Sequence, residues 1–236
     1  MKRLTLLIPV VLFMATAAFA EDMPHSGRTL WMISAEQLEW RDHDEGNASA
    51  WDVDAWIGDD NAKISLASEG EREEDETESA ETSLSMQYAI APYWDIQLGW
   101  RRDWQPDAPN RDWAMLAFTG TAPYFIETNV QFFLGGDTRT QLRVELEKEL
   151  LLTQRLELVP MIELTAFGRR DDAQHVDHGL AKVEAGLRLH YSIRRQFAPY
   201  IGLHHERLSG GTATMAEAEG HDTRDTGFTA GLRLWY

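Results

Sequence analysis

The chain has 236 residues, no cysteine and a formal net charge of −17. That balance argues against a nucleic-acid partner, which selects basic surfaces, and the missing cysteines exclude a fold held by disulfides. The length suits a single all-β domain behind a short leader.

Lys2-Arg3, the apolar run Leu4 to Phe13 and the triplet Ala18-Phe19-Ala20 follow the order of a secretory leader. Residues 1–20 therefore read as a signal peptide with an A-x-A cleavage site, and the protein as exported. Residues 21–29 form a short lead-in containing Met23, Pro24 and His25. No later segment reaches 18 consecutive apolar residues, which excludes a transmembrane helix but not a barrel, whose strands alternate.

From Leu30 onward the period is two, the repeat of a strand. Strands are predicted over Leu30–Arg41, Ala50–Gly58, Lys63–Glu73, Ala80–Ile90, Trp94–Trp104, Asp112–Thr121 and Phe125–Gly135. The stretch Thr140–Phe167 follows as a hairpin with two chemically distinct faces. Leu142, Val144, Leu146, Leu158, Ile162 and Leu164 share one face; Gln141, Arg143, Glu145, Glu147, Glu149, Glu157 and Glu163 share the other. Leu180–Ile193, Tyr200–Leu208 and Gly227–Tyr236 complete about twelve strands, with no helix legible.

The predicted connections alternate in length. Short turns fall at Gly58–Asn61, Ala91-Pro92-Tyr93, Ala122-Pro123-Tyr124, Leu152–Arg155 and Arg194-Arg195-Gln196. Long loops are predicted at Asp42–Ser49, Glu74–Ser79, Gln105–Arg111, Gly168–Gly179 and Ser209–Thr226, with Gly136–Arg139 a shorter exception on the same side. Short turns at one rim and long loops at the other is the outer-membrane pattern. Tyr93, Trp94, Trp100, Tyr124 and Phe125 lie near strand ends, where interfacial girdles form. The last strand alternates and ends on Tyr236, like the terminal strand by which outer-membrane barrels are recognised for assembly. Residues 30–236 are thus read as one antiparallel up-and-down transmembrane β-barrel of about twelve strands in the Gram-negative outer membrane.

On that reading the polar face lines the lumen. It stacks Asp52, Asp54, Glu69, Glu71, Glu81, Asp95, Glu127, Glu145, Glu147, Glu163, Glu184 and Glu206 against Arg101, Arg143, Arg188 and Arg233. Acids outnumber arginines, so the field favours cations. His204 shares the parity of Glu206, and His190 that of Arg188 and Glu184. Imidazole suits copper, zinc and nickel, and the thioether of Met161, on the lumen parity, suits Cu(I). His175 and His178, three apart in a long loop, together with His43 and His221, offer a second set of ligands at the mouth.

Five segments carry a family resemblance: Gln37-Leu38-Glu39-Trp40-Arg41, Glu69-Gly70-Glu71-Arg72, Ala89–Asp95, Glu149–Leu156 and Ile193–Tyr200. In their order and spacing the chain resembles the copper resistance protein B family of Gram-negative outer membranes. The resemblance implies a barrel in copper tolerance, working beside a periplasmic copper-binding protein. Members often carry a long Met/His-rich segment before the barrel, of which only Met23-Pro24-His25 and Met32 remain here.

The expected function is a monomeric barrel that binds or conducts copper ions through its acidic lumen. The alternative is a non-conducting barrel that sequesters copper. No nucleophile–base pair is recognisable, so no enzyme is expected. The residues expected to handle metal are Asp52, Asp54, Glu145, Glu147, Met161, Glu163, Glu184, His190, His204 and Glu206 in the lumen, with His175 and His178 at the mouth.

Overall fold

The computed structural model describes residues 29–43, 46–73, 76–105 and 108–236. The signal peptide over 1–20, and all of the lead-in except Thr29, lie outside the described residues. The strands are β1 (Leu30–His43), β2 (Gly46–Gly58), β3 (Ala62–Glu73), β4 (Glu76–Ala91), β5 (Trp94–Trp104), β6 (Arg111–Ala122) and β7 (Ile126–Gly135). They continue as β8 (Thr140–Glu147), β9 (Leu150–Leu151), β10 (Leu156–Phe167), β11 (Gly179–Tyr191), β12 (Phe197–Leu208) and β13 (Arg224–Trp235). β9 resumes β8 past Lys148 and Glu149, pairing with the same neighbour, β10. Each strand pairs antiparallel with the next, and β13 pairs back onto β1. The barrel therefore has twelve strands and no free edge to template aggregation.

The two faces are distributed inside-out relative to a protein in water. Ile33, Ile64, Leu84, Leu98, Leu134, Ile201 and Phe228, from seven different strands, are exposed outward. Such a continuous belt far exceeds the apolar patches of soluble monomers, and lipid is the solvent that suits it. Aromatics gather at its edges. Tyr93, Tyr124, Phe125 and Tyr236 stand about 80% exposed at the short-turn rim, while Trp40, Trp100 and Trp104 lie toward the other rim. The lumen holds charge: Glu39, Arg41, Arg101 and Arg188 are all buried.

Two expectations about the connections need correcting. β1 ends at His43 and β2 begins at Gly46, and β3 ends at Glu73 where β4 begins at Glu76. The loops predicted at Asp42–Ser49 and Glu74–Ser79 are therefore mostly strand, because these polar residues pair across the hairpin above the apolar belt (Asp42 with Asn47, Arg72 with Thr77). The second correction is a helix, α1 (Gly210–Glu219), inside the loop between β12 and β13. Two glycines and two threonines are poor helix formers, and the segment carries no apolar stripe, so period counting does not find it. The strand predicted over Asp112–Thr121 is apolar on both faces: β6 turns Trp113, Met115 and Ala117 into the interior, where Trp113 and Met115 pack with Phe133.

Candidate functional site

Two cavities occupy the lumen. The upper one, toward the loops, has a volume of about 640 Å³ and is lined by Glu71, Glu81, Arg101, Arg143, Lys182 and Glu206 among others. The lower one, of about 350 Å³, is lined by Glu36, Asp52, Glu127, Glu145 and Glu147 with Arg188, His190 and Arg233.

Between their linings lies a waist of ion pairs. Glu39 accepts from Arg41 Nε at 2.7 Å and from Arg188 Nε at 2.9 Å, and Arg41 continues to Glu71 at 3.1 Å. A second hub centres on Arg143, which binds Glu69, Glu81 at 2.8 Å and Glu163 at 3.5 Å. Arg101 bonds Glu81 at 3.0 Å, Asp103 at 2.8 Å and Gln141 at 2.5 Å, its guanidinium 3.8 Å above the Phe133 ring. Charge-assisted bonds of this density are individually strong, and removing one partner strands a buried charge.

The strongest candidate metal centre adjoins the upper cavity, whose lining includes Glu206 and Lys182. Glu184 on β11 and Glu206 on β12 are direct register partners, and His204 lies two residues before Glu206 on the same face. Ligand atoms of Glu184, His204 and Glu206 all lie within 4.8 Å of one another. Lys182 stands beside them, in contact with Glu184 and 3.6 Å from Glu206. One imidazole and two carboxylates form a borderline donor set, suited to Cu(II), Zn(II) or Ni(II) more than to Cu(I). Met161 is the nearest thioether along this row. It pairs in register with Gly186, which in turn pairs with His204, and its Cε would lie 3.5 Å from a side chain at 186. Arg188 Nη1 would lie equally close to a side chain at 186, so the guanidinium shares this space with the thioether.

The remaining expected ligands are dispersed. Asp52, Glu145 and Glu147 face the lower cavity. Asp54 accepts from Ser34, and Glu163 accepts from Thr165 at 3.1 Å beside Arg143. His190 stacks on Tyr200 with ring centroids 4.6 Å apart and lines the lower cavity together with Arg188 and Arg233.

At the mouth, His175 pairs with Glu219 of α1 at 2.9 Å, and His178 with Asp177 at 2.9 Å, so the two histidines are not brought onto one ion. His178 donates to Asp177 from its ring and its backbone N–H, which holds the Asp177 carboxyl below its ordinary value. Asp177 N–H in turn donates to Thr212 Oγ1 at 2.9 Å, docking the loop on the start of α1. His221 lines the upper cavity, and His43 ends β1 rather than lying in a loop.

Four central residues were absent from the sequence-derived set: Glu39, Arg41, Asp103 and Lys182. The signal for Glu39 and Arg41 was present, since they alternate with Leu38 and Trp40, both exposed outward. Lys182 alternates with Glu184 on β11 and was legible by the same rule.

Residues 29–236 match the family model described as Copper resistance protein B precursor (CopB). The chain is 40% identical over 212 residues to Copper resistance protein B of Escherichia coli, covering 90% of this chain and 71% of that one. It is 39% identical over 202 residues to a Copper resistance protein B homolog of Pseudomonas syringae pv. tomato (strain ATCC BAA-871 / DC3000), covering 86% and 68%. Among solved structures, the barrel resembles the KdgM porin (TM-score 0.54, 12% identity, 86% of this chain and 98% of that one). It also resembles the NanC porin (TM-score 0.55, 11% identity, 86% and 98%). At such identities these two likenesses speak for an outer-membrane-type barrel fold alone.

Proposed function

The chain belongs to the copper resistance protein B family, and from that premise we propose that it is an outer-membrane barrel whose lumen binds copper ions as cargo. The observation that carries this reading is the convergence of Glu184, His204 and Glu206 within 4.8 Å, with Glu206 lining the loop-side cavity. The acids of the lumen draw cations in, and the imidazole selects a borderline transition metal from among them. Cu(II) is the form this donor set favours.

Of the two modes, binding and conduction, the waist favours binding with slow, stepwise passage. An ion leaving the upper cavity downward meets Arg41, Arg143 and Arg188, each already held by carboxylates. Passage requires those pairs to exchange partners in turn, which an open water-filled pore does not. Beyond the waist, Asp52, Glu127, Glu145 and Glu147 offer carboxylates again.

Proteoliposomes carrying a copper-sensitive dye separate the modes. The expected result is saturable copper binding, slow saturable copper entry and no free leak of potassium or chloride. Non-saturating flux of all small ions, with no tight copper binding, would overturn the reading.

A further inference from the structure

Lys182 occupies the place that a bound cation would take. Its ammonium contacts Glu184 and lies 3.6 Å from Glu206, and those two carboxylates supply two of the three ligand groups of the candidate centre. The backbone register forces the problem it solves. Glu184 and Glu206 face each other across the β11–β12 pair, and like charges directly opposite destabilise a sheet unless a cation lies between them.

The same side chain has somewhere else to go. Lys182 is about one-third exposed (35%) and lines the upper cavity together with Glu206. Its flexible four-carbon stem can carry the ammonium into that space without moving the backbone.

Resting on the copper-binding reading, we infer that Lys182 is a tethered counter-ion that incoming metal must displace from Glu184 and Glu206. The empty barrel then never carries two bare carboxylates face to face. A monovalent ion, matching the ammonium in charge and lacking its tether, does not displace it. A dication with affinity for imidazole does, because it gains His204 as a third ligand. Lys182 therefore sets the threshold of the site and acts as a specificity-determining residue rather than a ligand.

The test is the affinity of the folded, detergent-solubilised barrel for Cu2+, measured by competition with a chelating dye. Lys182→Met and Lys182→Gln should each bind Cu2+ about tenfold tighter than the parent, a change of about 1.4 kcal/mol. Lys182→Arg keeps the tethered cation and should bind no tighter than the parent. Added Cu2+ should also raise the unfolding temperature of the Met and Gln variants more than that of the parent, since their carboxylates wait without a counter-ion. Gln retains hydrogen bonding to both acids, so it carries the test if the Met variant does not fold. Unchanged or weaker Cu2+ affinity in the neutral variants, with the parent binding normally, would sink the role of Lys182 and leave the copper site standing. No Cu2+ binding by the parent or any variant would overturn the site itself.

Discussion

Arg188 reaches from β11 past two intervening strands to Glu39 on β1, where Nε lies 2.9 Å from the carboxylate. Both side chains are out of contact with water, at 4% and 0% exposure. The lane is open because the register partner of Arg188 on β12 is Gly202, which puts no side chain in the way. Glu39 also holds Arg41, so one carboxylate ties arginines from two strands into the waist.

Replacing Glu39 with Gln should therefore strand Arg188 and weaken Arg41. Removing one partner of a buried pair costs roughly 3–5 kcal/mol. The expected outcome is a lower temperature for loss of the folded band on a heat-modifiable gel, together with a new leak of small ions in planar bilayers. Replacing both Glu39 and Arg188 with Leu should recover much of the stability. A Glu39→Gln barrel as stable and as tight as the parent would show that the waist does not depend on this pair.

The closing strand gives a second prediction. Tyr236 exchanges both backbone hydrogen bonds with Ile33, at 2.8 and 2.9 Å, and its ring lies 5.6 Å from Trp31 on the outer surface. Tyr236→Asp places a charge at the lipid edge, where the local cost is below the roughly 2–4 kcal/mol of the midplane. Outer-membrane levels of the variant should fall by more than that cost explains, because Tyr236 closes the sheet onto β1 and packs its ring near Trp31. Normal levels would count against a role in assembly.

A third prediction concerns the mouth. Gly211 of α1 lies against the Asp177 carboxylate so closely that any Cβ there overlaps it. Gly211→Val should undock the loop over 168–178, making it sensitive to protease while the strands stay protected. Lowering the pH should release the same contact in the parent. The Asp177 carboxyl is held low by His178, so its contribution is complete above the unfolded carboxylate range, near 3.9. It is lost as the pH falls through the lowered folded value. Hydrogen exchange in the loop that is constant from neutral pH down to the carboxylate range, then accelerates, is the expected profile. Acceleration that begins well above the carboxylate range would contradict this role for Asp177.

A fourth prediction fixes orientation. An epitope inserted in the loop over 168–178 should be labelled on intact cells, and one at Pro123 should not. The long connections that hold this loop and α1 share one rim, while the start of β1 and the end of β13 share the other with the Pro92-Tyr93 and Pro123-Tyr124 turns. Labelling at Pro123 alone would invert the barrel.

Where a strand keeps strict alternation, its place and facing were legible in the sequence. Gln141 to Glu147 and its partner strand were read correctly to the residue face, because lipid and lumen impose opposite chemistry on neighbouring positions. β1 was harder. Its pairing shifts between Ala35 and Leu38, so Ser34 and Glu39 both end inside although five positions apart. A bulge changes parity without changing composition, so β1 cannot be read as one alternating run, although Leu38 to Arg41 still alternates within itself. Local sequence was also ambiguous about turns. Ala-Pro-Tyr makes a turn at Ala91-Pro92-Tyr93 and Ala122-Pro123-Tyr124, with Tyr93 and Tyr124 at positive φ, yet Ala198-Pro199-Tyr200 lies inside β12. The third copy is drawn into strand by Tyr200, whose ring is buried in the lumen against His190. Of the expected metal ligands, only those on adjacent strands in register could converge. Strand order in an up-and-down barrel makes β11 and β12 neighbours, but it does not set which rung of each meets the other.

The most direct test of the account is copper stoichiometry in a folded barrel lacking the three converging groups. Glu184→Gln, His204→Gln and Glu206→Gln combined preserve hydrogen bonding while removing both charges and the imidazole. Folding is checked by heat-modifiable migration, and bound copper by equilibrium dialysis of the purified barrel. The parent should retain one tightly held copper ion and the triple variant none at the same free concentration. A folded triple variant that retains copper with the parent's affinity would contradict the account, and would move metal handling to the carboxylates of the lower cavity or the histidines of the mouth.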